Sequence, residues 1–342
     1  MSLAVISPSG KFYGSEQTLF EFLSRTSGFD VYCKEESGGL YEILLENNFA
    51  HRYFKFNDLK YFYLRLCGLL LFRYKKVYVN EGGHSRYIKL LGRIFFWKRF
   101  FIHIRLVEDT ENERIKNMPA NVCLISTSEY IADLILRNTG QSSEVISSPT
   151  RAFKKNLKWN DDVRSKKILK IGVIGRVTPT KGINEAKQFL DFLRNFPDNR
   201  SFEFLFFGDV EQANNEVADF VHFCKNLNTI NVTFKGFIKE KSRIFEEIDL
   251  VVHFNGREPL GVVFLEALNQ GIPFFGINSG GIACIAEKLE LSKYMVDGPN
   301  WQEQLLYNIG NFKIKDFKDA RERMLMEYSP ELYCNRLNTL FN

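Results

Sequence analysis

Two glutamates stand eight positions apart in the stretch REPLGVVFLEALNQGIP, residues 257–273. Glu266 lies in an apolar run, and Glu258 stands before a Pro-Leu-Gly turn that would open the same helix. A lone glutamate on a helix usually faces solvent, but this helix is apolar almost all round, and an ionised carboxylate is costly to bury without partners. We therefore favour a functional interpretation for the pair, in which one carboxylate can accept hydrogen bonds from sugar hydroxyls and the other from a ribose.

Two cations follow an earlier strand, in KIGVIGRVTPTKGINEA at residues 170–186. This loop has neither the G-x-G-x-x-G spacing of a dinucleotide site nor a Walker A sequence. Arg176 offers a fork and Lys181 a point charge, so together they suit a diphosphate, although an ordinary charged loop fits equally well by itself. A helix beginning at Gly261 and Val262 would add free amides and a positive dipole end. The glutamate pair favours the functional interpretation.

Strands and helices alternate along the chain, and this alternation must position those residues. Apolar strands such as LAVIS, KVYVN and NVCLIST alternate with helical stretches up to residue 149, and the alternation resumes with ILKIGVIG at 168–175. The polar segment 149–167 lacks periodicity and is interpreted as a linker. Alternation of this kind is typical of βαβ units and parallel sheets. The predicted fold is α/β, with two doubly wound Rossmann-like domains facing a central cleft where ligands bind.

The domain boundaries follow from that linker. The N-terminal domain is predicted to cover residues 1–155 and the C-terminal domain residues 165–327. A last helix, at about 328–342, has no strand after it and is expected to pack back on the first domain. A length of 342 residues and an apolar share of 45% suit two hydrophobic cores.

Cysteine usage and hydropathy predict a cytoplasmic protein. The 6 cysteines show no C-x-x-C spacing, which is typical of reduced thiols and not of a disulfide framework or a zinc site. The first residues, MSLAVISPSG, lack the charged n-region of a signal peptide. No apolar run approaches the ~18 residues that a membrane span needs.

Basic residues are concentrated between residues 51 and 105, where 13 Lys or Arg stand against 2 acidic residues. The rest of the chain carries 33 basic and 39 acidic residues. Such a cluster fits an anionic partner, either a membrane surface or nucleic acid, and a merely solvated helix face is an equal alternative. Residues 58–76 and 84–99 mix aromatic residues and leucines with basic residues, which fits helices that lie on an anionic membrane surface. The competing interpretation is that their apolar residues pack on the N-terminal sheet and leave the basic ones solvated. No nucleic-acid partner is predicted.

Residues 170–282 resemble the donor-binding domain of retaining glycosyltransferases of family 4, the glycogen- and sucrose-synthase-like group 1 with the GT-B fold. The shared features are GRVTPTKG, FGD at 207–209, FKG at 234–236, EIDLVVHF, the E-P-L-G-x-x-x-x-E pair, ALNQGIP and NSGG at 278–281. The segment SPSGKFYGSEQTLFEFL, residues 7–23, is similar to the glycine-rich first loop and helix of that family. The resemblance implies a GT-B fold and sugar transfer from a nucleotide-diphosphate sugar.

The resemblance also implies roles on the donor side. Arg176 and Lys181 would bind the diphosphate, Glu258 the donor sugar and Glu266 the ribose. Further donor contacts would come from loop and helix ends, namely Gly14 near the phosphates, Ile238 near the base, and the backbone amides of Leu260, Gly261 and Val262.

The N-terminal domain supplies the acceptor side in this family. Members often carry a histidine at the end of the strand that here reads RFFIHIRL, residues 99–106. His103 or Arg105 takes that place. Strand alternation puts both side chains on one face, and Arg105, nearer the C-terminal end, is preferred, with His103 as a core or supporting residue. Glu81 and His84 follow the strand KVYVN and are expected to contact the acceptor.

The predicted function is a retaining, metal-independent hexosyltransferase reaction of class EC 2.4, with a UDP- or GDP-sugar as donor. The chain has no Asp-x-Asp motif, so Arg176, Lys181 and a helix N-terminus would replace a metal ion. No metal and no cofactor are predicted. Bacterial members commonly glycosylate glycans or polyprenyl-linked acceptors for surface polysaccharides such as O-antigen, capsule or lipopolysaccharide. This favours a place on the inner face of the cytoplasmic membrane.

Two alternatives stay open at this point. A sugar-nucleotide epimerase of the same architecture would need further acid and base residues in the cleft, and the sequence has 5 histidines and no second clear carboxylate pair. A non-catalytic module that binds membrane or nucleic acid through residues 51–105 would not need both glutamates and both cations.

Overall fold

The computed structural model describes residues 3–111, 113–150, 159, 163–196 and 201–342. The chain forms two compact units, an N-terminal unit of Met1–Pro149 with Tyr328–Asn342 and a C-terminal unit of Thr150–Glu327. Most of the predicted linker, including the proposed boundary at residue 155, lies outside the described residues.

The N-terminal unit contains a parallel sheet of seven strands in the order β3-β2-β1-β4-β5-β6-β7. Because both faces are covered by helices, the central strands are buried almost throughout and read as near-continuous apolar runs. The strands are β1 (Leu3–Ser7), β2 (Asp30–Lys34), β3 (Arg52–Phe56), β4 (Lys76–Val79), β5 (Arg99–Ile104), β6 (Val122–Ser126) and β7 (Glu144–Val145).

Helices follow these strands and cover both faces of the sheet. They are α1 (Gly14–Ser24), α2 (Leu40–Asn47), α3 (Leu59–Phe72), α4 (Ser85–Ile94), α5 (Val107–Thr110) and α6 (Glu129–Thr139). Alternate strand residues point to opposite faces, so Ile102 belongs to the core under α3, α4 and α6, whereas Phe101 belongs to the core under α1 and α2. A final helix, α14 (Pro330–Phe341), packs into this second core through Tyr333 and Phe341.

The C-terminal unit contains a parallel sheet of six strands in the order β10-β9-β8-β11-β12-β13. Its strands are β8 (Ile168–Ile174), β9 (Ser201–Phe207), β10 (Asn231–Gly236), β11 (Leu250–His253), β12 (Phe274–Ile277) and β13 (Met295–Val296). Its helices are α7 (Ile183–Asn195), α8 (Asn215–Lys225), α9 (Lys241–Glu247), α10 (Val262–Asn269), α11 (Gly280–Lys288), α12 (Trp301–Asn311) and α13 (Ile314–Glu327). The prediction of two doubly wound parallel-sheet domains is confirmed.

In each sheet the strand order reverses beside the first strand, between β1 and β4 and between β8 and β11. Ligands of doubly wound folds bind outside the carboxyl ends of the strands at this point, because the two following loops diverge there. None of the helices in the described part of the chain is both long and apolar enough to cross a bilayer.

Candidate active site

The first candidate site lies at the strand-order reversal of the C-terminal unit. Strands β8 and β11 pair in parallel, with Leu250 opposite Ile171, so their carboxyl ends lie side by side. The loop after β8 carries Arg176 and Lys181, and the loop after β11 carries Glu258. Residues that are far apart in sequence therefore meet at one edge of the sheet.

Lys181 and Glu258 form an ion pair at this edge. Lys181 Nζ lies 2.9 Å from Glu258 Oε2, and the same oxygen accepts a hydrogen bond of 2.7 Å from Asn255 Nδ2. Gly182 makes the approach of the two loops close: its φ is +80°, and a Cβ there would lie 2.4 Å from the carbonyl of Phe254. Glycine is thus the residue that allows the β8 loop to lie against the end of β11.

The carboxyl of Glu258 is held in its ionised form. Burial by itself raises the pKa of a carboxyl, but His253 and the Lys181 ammonium oppose this effect and hold the pKa of Glu258 well below its usual range. His253 Nε2 lies 3.7 Å from Glu258 Oε2, which is too long for a hydrogen bond. Within the described part of the unit, Lys181 and Asn255 both donate to Oε2 of Glu258. Oε1 is therefore the oxygen left for a ligand.

The second glutamate is buried and has a cationic partner. Glu266 lies on α10 with only 1% of its side chain exposed. Lys241, the first residue of α9, donates to both of its carboxylate oxygens, at 2.6 Å and 2.9 Å. The ammonium of Lys241 therefore offsets most of the cost of burying this carboxylate.

The turn between Glu258 and α10 is tightly packed. Gly261 precedes α10 with a φ of +103°, and a Cβ there would lie 2.4 Å from Ile282 Cδ1. The amide of Gly281, in the first turn of α11, donates to the carbonyl of Glu258 at 2.7 Å. Leu260 is buried beside it, and Val262 is the first residue of α10. These contacts fix the backbone that was predicted to face phosphate or sugar.

Two further predicted donor residues of the C-terminal unit lie in loops that leave the same edge of the sheet. Arg176 is exposed after β8 and has no hydrogen bond or ion pair to any other residue that the structure describes. Ile238 is half-buried two residues beyond β10, the edge strand of the sheet. The structure thus brings Lys181 and Glu258 into contact. Arg176 and Ile238 lie in loops at the same edge of the sheet.

In the N-terminal unit the reversal between β1 and β4 carries a second polar cluster. Gly14 is the first residue of α1, and the hydroxyl of the next residue, Ser15, donates to Glu81 in the loop after β4. Asn80 Nδ2 donates to the carbonyl of Ser15 at 3.1 Å. Glu16, one residue further, is fully buried, and its Oε2 lies 2.9 Å from Ser15 Oγ.

Two carboxyls near Glu81 have raised pKa values. Burial, and next the charge of Glu81, raise the pKa of Glu16 from 4.5 to about 7. Burial and Glu81 likewise raise the pKa of Asp109 from 3.8 to about 6. Like charges at short range disfavour simultaneous ionisation, so this cluster holds protons near neutral pH.

The two residues predicted near the reacting centre are buried in the N-terminal unit. The Arg105 guanidinium donates to Asn80 O at 2.9 Å, Ser148 Oγ at 3.0 Å and Tyr333 OH at 3.2 Å, and it contacts His103 Nδ1 at 3.2 Å. Burial and the Arg105 charge hold the pKa of His103 well below its usual range. Arg105 thus joins β5 to the loop after β4 and to α14.

His84 is buried among aromatic side chains. Its Nδ1 lies 2.8 Å from the hydroxyl of Tyr63, and its ring makes an edge contact with Tyr87. Burial, followed by the charge of Lys34, lowers the pKa of His84 to about 4, so the ring is neutral at physiological pH. It can exchange one hydrogen bond with a neutral group but offers no charge to an acceptor.

Three residues of the proposed donor site were missed in the sequence. His253 and Asn255 stand five and three positions before Glu258, at the end of the same strand, which is a local signal that could have indicated them. Lys241 stands 25 positions before Glu266 and has no such signal, because only the fold brings α9 beside α10. Among the described residues, no group of three or more His, Cys, Asp or Glu could hold a metal ion.

Comparisons with known proteins bear on both units. The sequence model of the family described as Glycosyl transferases group 1 matches residues 155–307. No curated protein sequence matches the chain. The crystal structure of Anabaena Alr3699/HepE in complex with UDP is similar over 100% of this chain and 99% of its own, with a TM-score of 0.76 and 15% identity. The same protein in complex with UDP-glucose gives a TM-score of 0.74.

Two further solved structures are similar. The lipopolysaccharide outer core galactosyltransferase WaaB, in its apo form, matches over 100% of this chain and 99% of its own, with a TM-score of 0.73 and 13% identity. A point mutant of S. aureus TarM, in complex with Fondaparinux, alpha-GlcNAc-glycerol and UDP, matches over 78% of this chain and 55% of its own, with a TM-score of 0.59 and 18% identity. At these identities the similarity shows the fold, which is GT-B. The family match and the shared fold together support a glycosyltransferase of the GT-B type.

Proposed function

We propose that the protein is a retaining, metal-independent glycosyltransferase that moves a hexose from a nucleotide-diphosphate sugar to a glycan or polyprenyl-linked acceptor. The observation that carries this proposal is the contact of Lys181 with Glu258 outside the carboxyl ends of β8 and β11. Lys181 can bind a diphosphate and Glu258 can accept hydrogen bonds from sugar hydroxyls. Transfer from a nucleotide-diphosphate sugar requires two such groups side by side.

On the donor side, Glu258 presents Oε1 to a hydroxyl of the sugar and orients the reacting carbon. Glu266 accepts hydrogen bonds from the ribose. The backbone around Leu260, Gly261 and Val262, at the N-terminus of α10, faces the phosphate or the sugar. Two positions outside this turn complete the donor contacts: Ile238 near the base and Gly14 near the phosphates.

The leaving group in this reaction is a nucleoside diphosphate, which gains negative charge as the glycosidic bond breaks. Lys181 and Arg176 would stabilise that charge together with the N-terminus of α10. Arg176 is exposed in the loop after β8, so it can move toward a diphosphate without breaking an ion pair within the described residues. In this proposal these groups do the work that a divalent metal does in other glycosyltransferases.

On the acceptor side, we propose that Glu81 accepts a hydrogen bond from an acceptor hydroxyl and that His84 makes a neutral contact. Arg105 and His103 were predicted at the reacting centre. The hydrogen bonds of Arg105 to Asn80 and to α14 favour a role in holding the N-terminal unit together, with His103 packed beside it. A direct catalytic role for Arg105 would require these bonds to rearrange.

We further propose that the protein works at the inner, cytoplasmic face of a membrane, in the synthesis of a surface polysaccharide. The inner side of α3 packs on the sheet, but its outer side is apolar as well, with Leu64 and Phe72 exposed. Strands β4 and β5 start side by side, with Lys76 opposite Arg99, so the end of α3 lies next to the loop that carries exposed Trp97. Basic residues interleave with these apolar ones, which fits an anionic lipid surface.

A screen of nucleotide sugars by thermal shift tests the donor, because a ligand that binds only the folded chain raises its Tm by mass action. The best donor is then incubated with the protein and with glycan or polyprenyl acceptors, while release of nucleoside diphosphate and the anomer of the product are measured. Free diphosphate and a retained anomer support the proposal. A changed sugar still attached to its nucleotide would instead favour an epimerase, and salt-sensitive membrane or nucleic-acid binding without turnover would favour a non-catalytic module.

A further inference from the structure

His253 is a buried imidazole at the end of β11, beside the proposed sugar-binding carboxylate. Its Nε2 is shielded from solvent and has no hydrogen-bond partner among the residues that the structure describes. The side chain is 8% exposed and lies at a tilt to the ring of Phe274, with 5.9 Å between ring centroids. A buried polar nitrogen without a partner is costly, so its position calls for a functional reason.

The nearest acceptor is Glu258 Oε2, 3.7 Å away. That oxygen already takes Lys181 at 2.9 Å and Asn255 at 2.7 Å, so in the free protein the imidazole is one donor more than Oε2 needs. His253 is no longer an additional donor when a diphosphate competes for Lys181. The ammonium must then face the phosphates, and the partly buried carboxylate of Glu258 loses its closest cation.

We infer that His253 is a positioning residue, which takes the place of Lys181 on Glu258 Oε2 when Lys181 turns to the donor diphosphate. This inference rests on the proposed function. With His253 and Asn255 on Oε2, the carboxylate stays ionised and Oε1 stays directed at the sugar. The imidazole thereby lowers the cost of releasing Lys181, and this benefit appears as affinity for nucleoside diphosphate.

The test measures binding, not turnover, by calorimetric titration of the full chain with UDP, GDP, ADP and dTDP. The tightest ligand of the wild type is then titrated into His253→Leu and His253→Gln. Leucine removes the donor, whereas the amide nitrogen of glutamine reaches about as far as imidazole Nε2. We expect His253→Leu to weaken binding by about tenfold or more, the effect of one hydrogen bond to a charged group, and His253→Gln to restore most of it.

A double-mutant cycle separates positioning from a merely structural role. In the Glu258→Gln background there is no charge for His253 to hold, so His253→Leu should leave the binding constant almost unchanged. Urea unfolding of every variant reports any general loss of stability. Unchanged binding in His253→Leu, or an equal loss in both backgrounds, would overturn the inference and leave the proposed function intact. A wild type that binds none of the four diphosphates would overturn both.

Discussion

Lys181 Nζ and Glu258 Oε2 lie 2.9 Å apart although 77 positions separate the two residues in the sequence. The contact exists because β8 and β11 are neighbours at the reversal of strand order and because Gly182 lets their loops approach. This partly buried ion pair keeps a cation beside the carboxylate until a ligand competes for it. The free protein thus holds both charges in place at the proposed donor site.

Replacing the two glutamates should affect different kinetic constants. We expect Glu258→Ala to lower kcat by roughly 10²-fold, because the donor sugar loses the contact that orients its reacting carbon. Glu266→Ala should raise the donor KM and leave kcat nearly unchanged, since ribose contacts are equal in ground and transition states. Steady-state kinetics with the identified donor distinguish the two patterns. Wild-type kinetics in both variants would show that the pair does not bind the donor.

The two cations should differ in their effect on stability. Arg176→Ala and Lys181→Ala are each expected to slow transfer by roughly 10²-fold, as removal of one donor to a developing anion does. Only Lys181→Ala should also lower the Tm, because it leaves the partly buried carboxylate of Glu258 without its ammonium. Rates in EDTA should match those without it. A strong requirement for manganese or magnesium would contradict the metal-free mechanism.

Stability should fall as the pH rises through the range in which Glu16 titrates. Its pKa is raised from 4.5 to about 7, so the folded chain binds this proton more tightly than the unfolded chain does. The free energy of unfolding therefore decreases between about pH 4.5 and 7 and stays reduced above that range. Glu16→Gln should stabilise the protein at pH 8 by up to about 3 kcal/mol and have little effect at pH 4.5.

Urea unfolding at both pH values measures this difference. Glu46→Gln, an exposed glutamate on α2, is the matched control and should behave like the wild type. Some pH dependence will remain in Glu16→Gln, because the pKa of Asp109 is also raised, to about 6. Equal stabilisation by Glu16→Gln at pH 4.5 and pH 8 would show that Glu16 is ionised without penalty in the folded chain.

Arg105 should behave as a structural residue. Its guanidinium has partners on β5, after β4, after β7 and on α14, so Arg105→Met leaves several buried acceptors unpaired. We expect a loss of about 3 kcal/mol or more in unfolding free energy, against little change for exposed Arg93→Met on α4. Urea unfolding and donor kinetics are measured together. Full stability with lost turnover would instead support the catalytic role predicted for Arg105 from the sequence.

The outer side of α3 and α4 should bind anionic vesicles. Replacing exposed Phe72 and Trp97 with Ser removes apolar area, and replacing Arg93, Lys98 and Arg99 with Glu reverses charge. Both variants should sediment less with vesicles of phosphatidylglycerol and phosphatidylcholine at low salt. Binding of the wild type should weaken at 1 M salt, where the Debye length is ~3 Å.

A matched control for this surface comes from the C-terminal unit. Tyr307 and Met326 are also exposed, at 67% and 66% against 92% for Phe72 and 57% for Trp97, but do not lie in the basic segment. Replacing both with Ser should leave sedimentation unchanged. If the wild type does not sediment with anionic vesicles at low salt, a soluble acceptor becomes the better proposal.

The sequence determined the fold class and the local geometry of the loop that carries Glu258. Alternating apolar strands and helices predict parallel sheets because strands covered on both faces must be apolar throughout. The eight-residue spacing of Glu258 and Glu266 fixes one in the turn before α10 and the other within that helix, whatever surrounds them. These inferences depend on neighbours along the chain and needed no tertiary information.

Only the tertiary structure decided which side chains pair with each other and which apolar residues are buried. Lys241 reaches Glu266 only because α9 packs beside α10, and Arg105 meets Tyr333 only because α14 returns to the first sheet. The pattern of α3 could not tell which apolar residues enter the core, since the helix is apolar on two sides: Leu66 is buried while Leu64 is exposed. Burial, pairing and charge compensation are properties of surfaces brought together by folding, so the physical reason for each lies in distant segments of the chain.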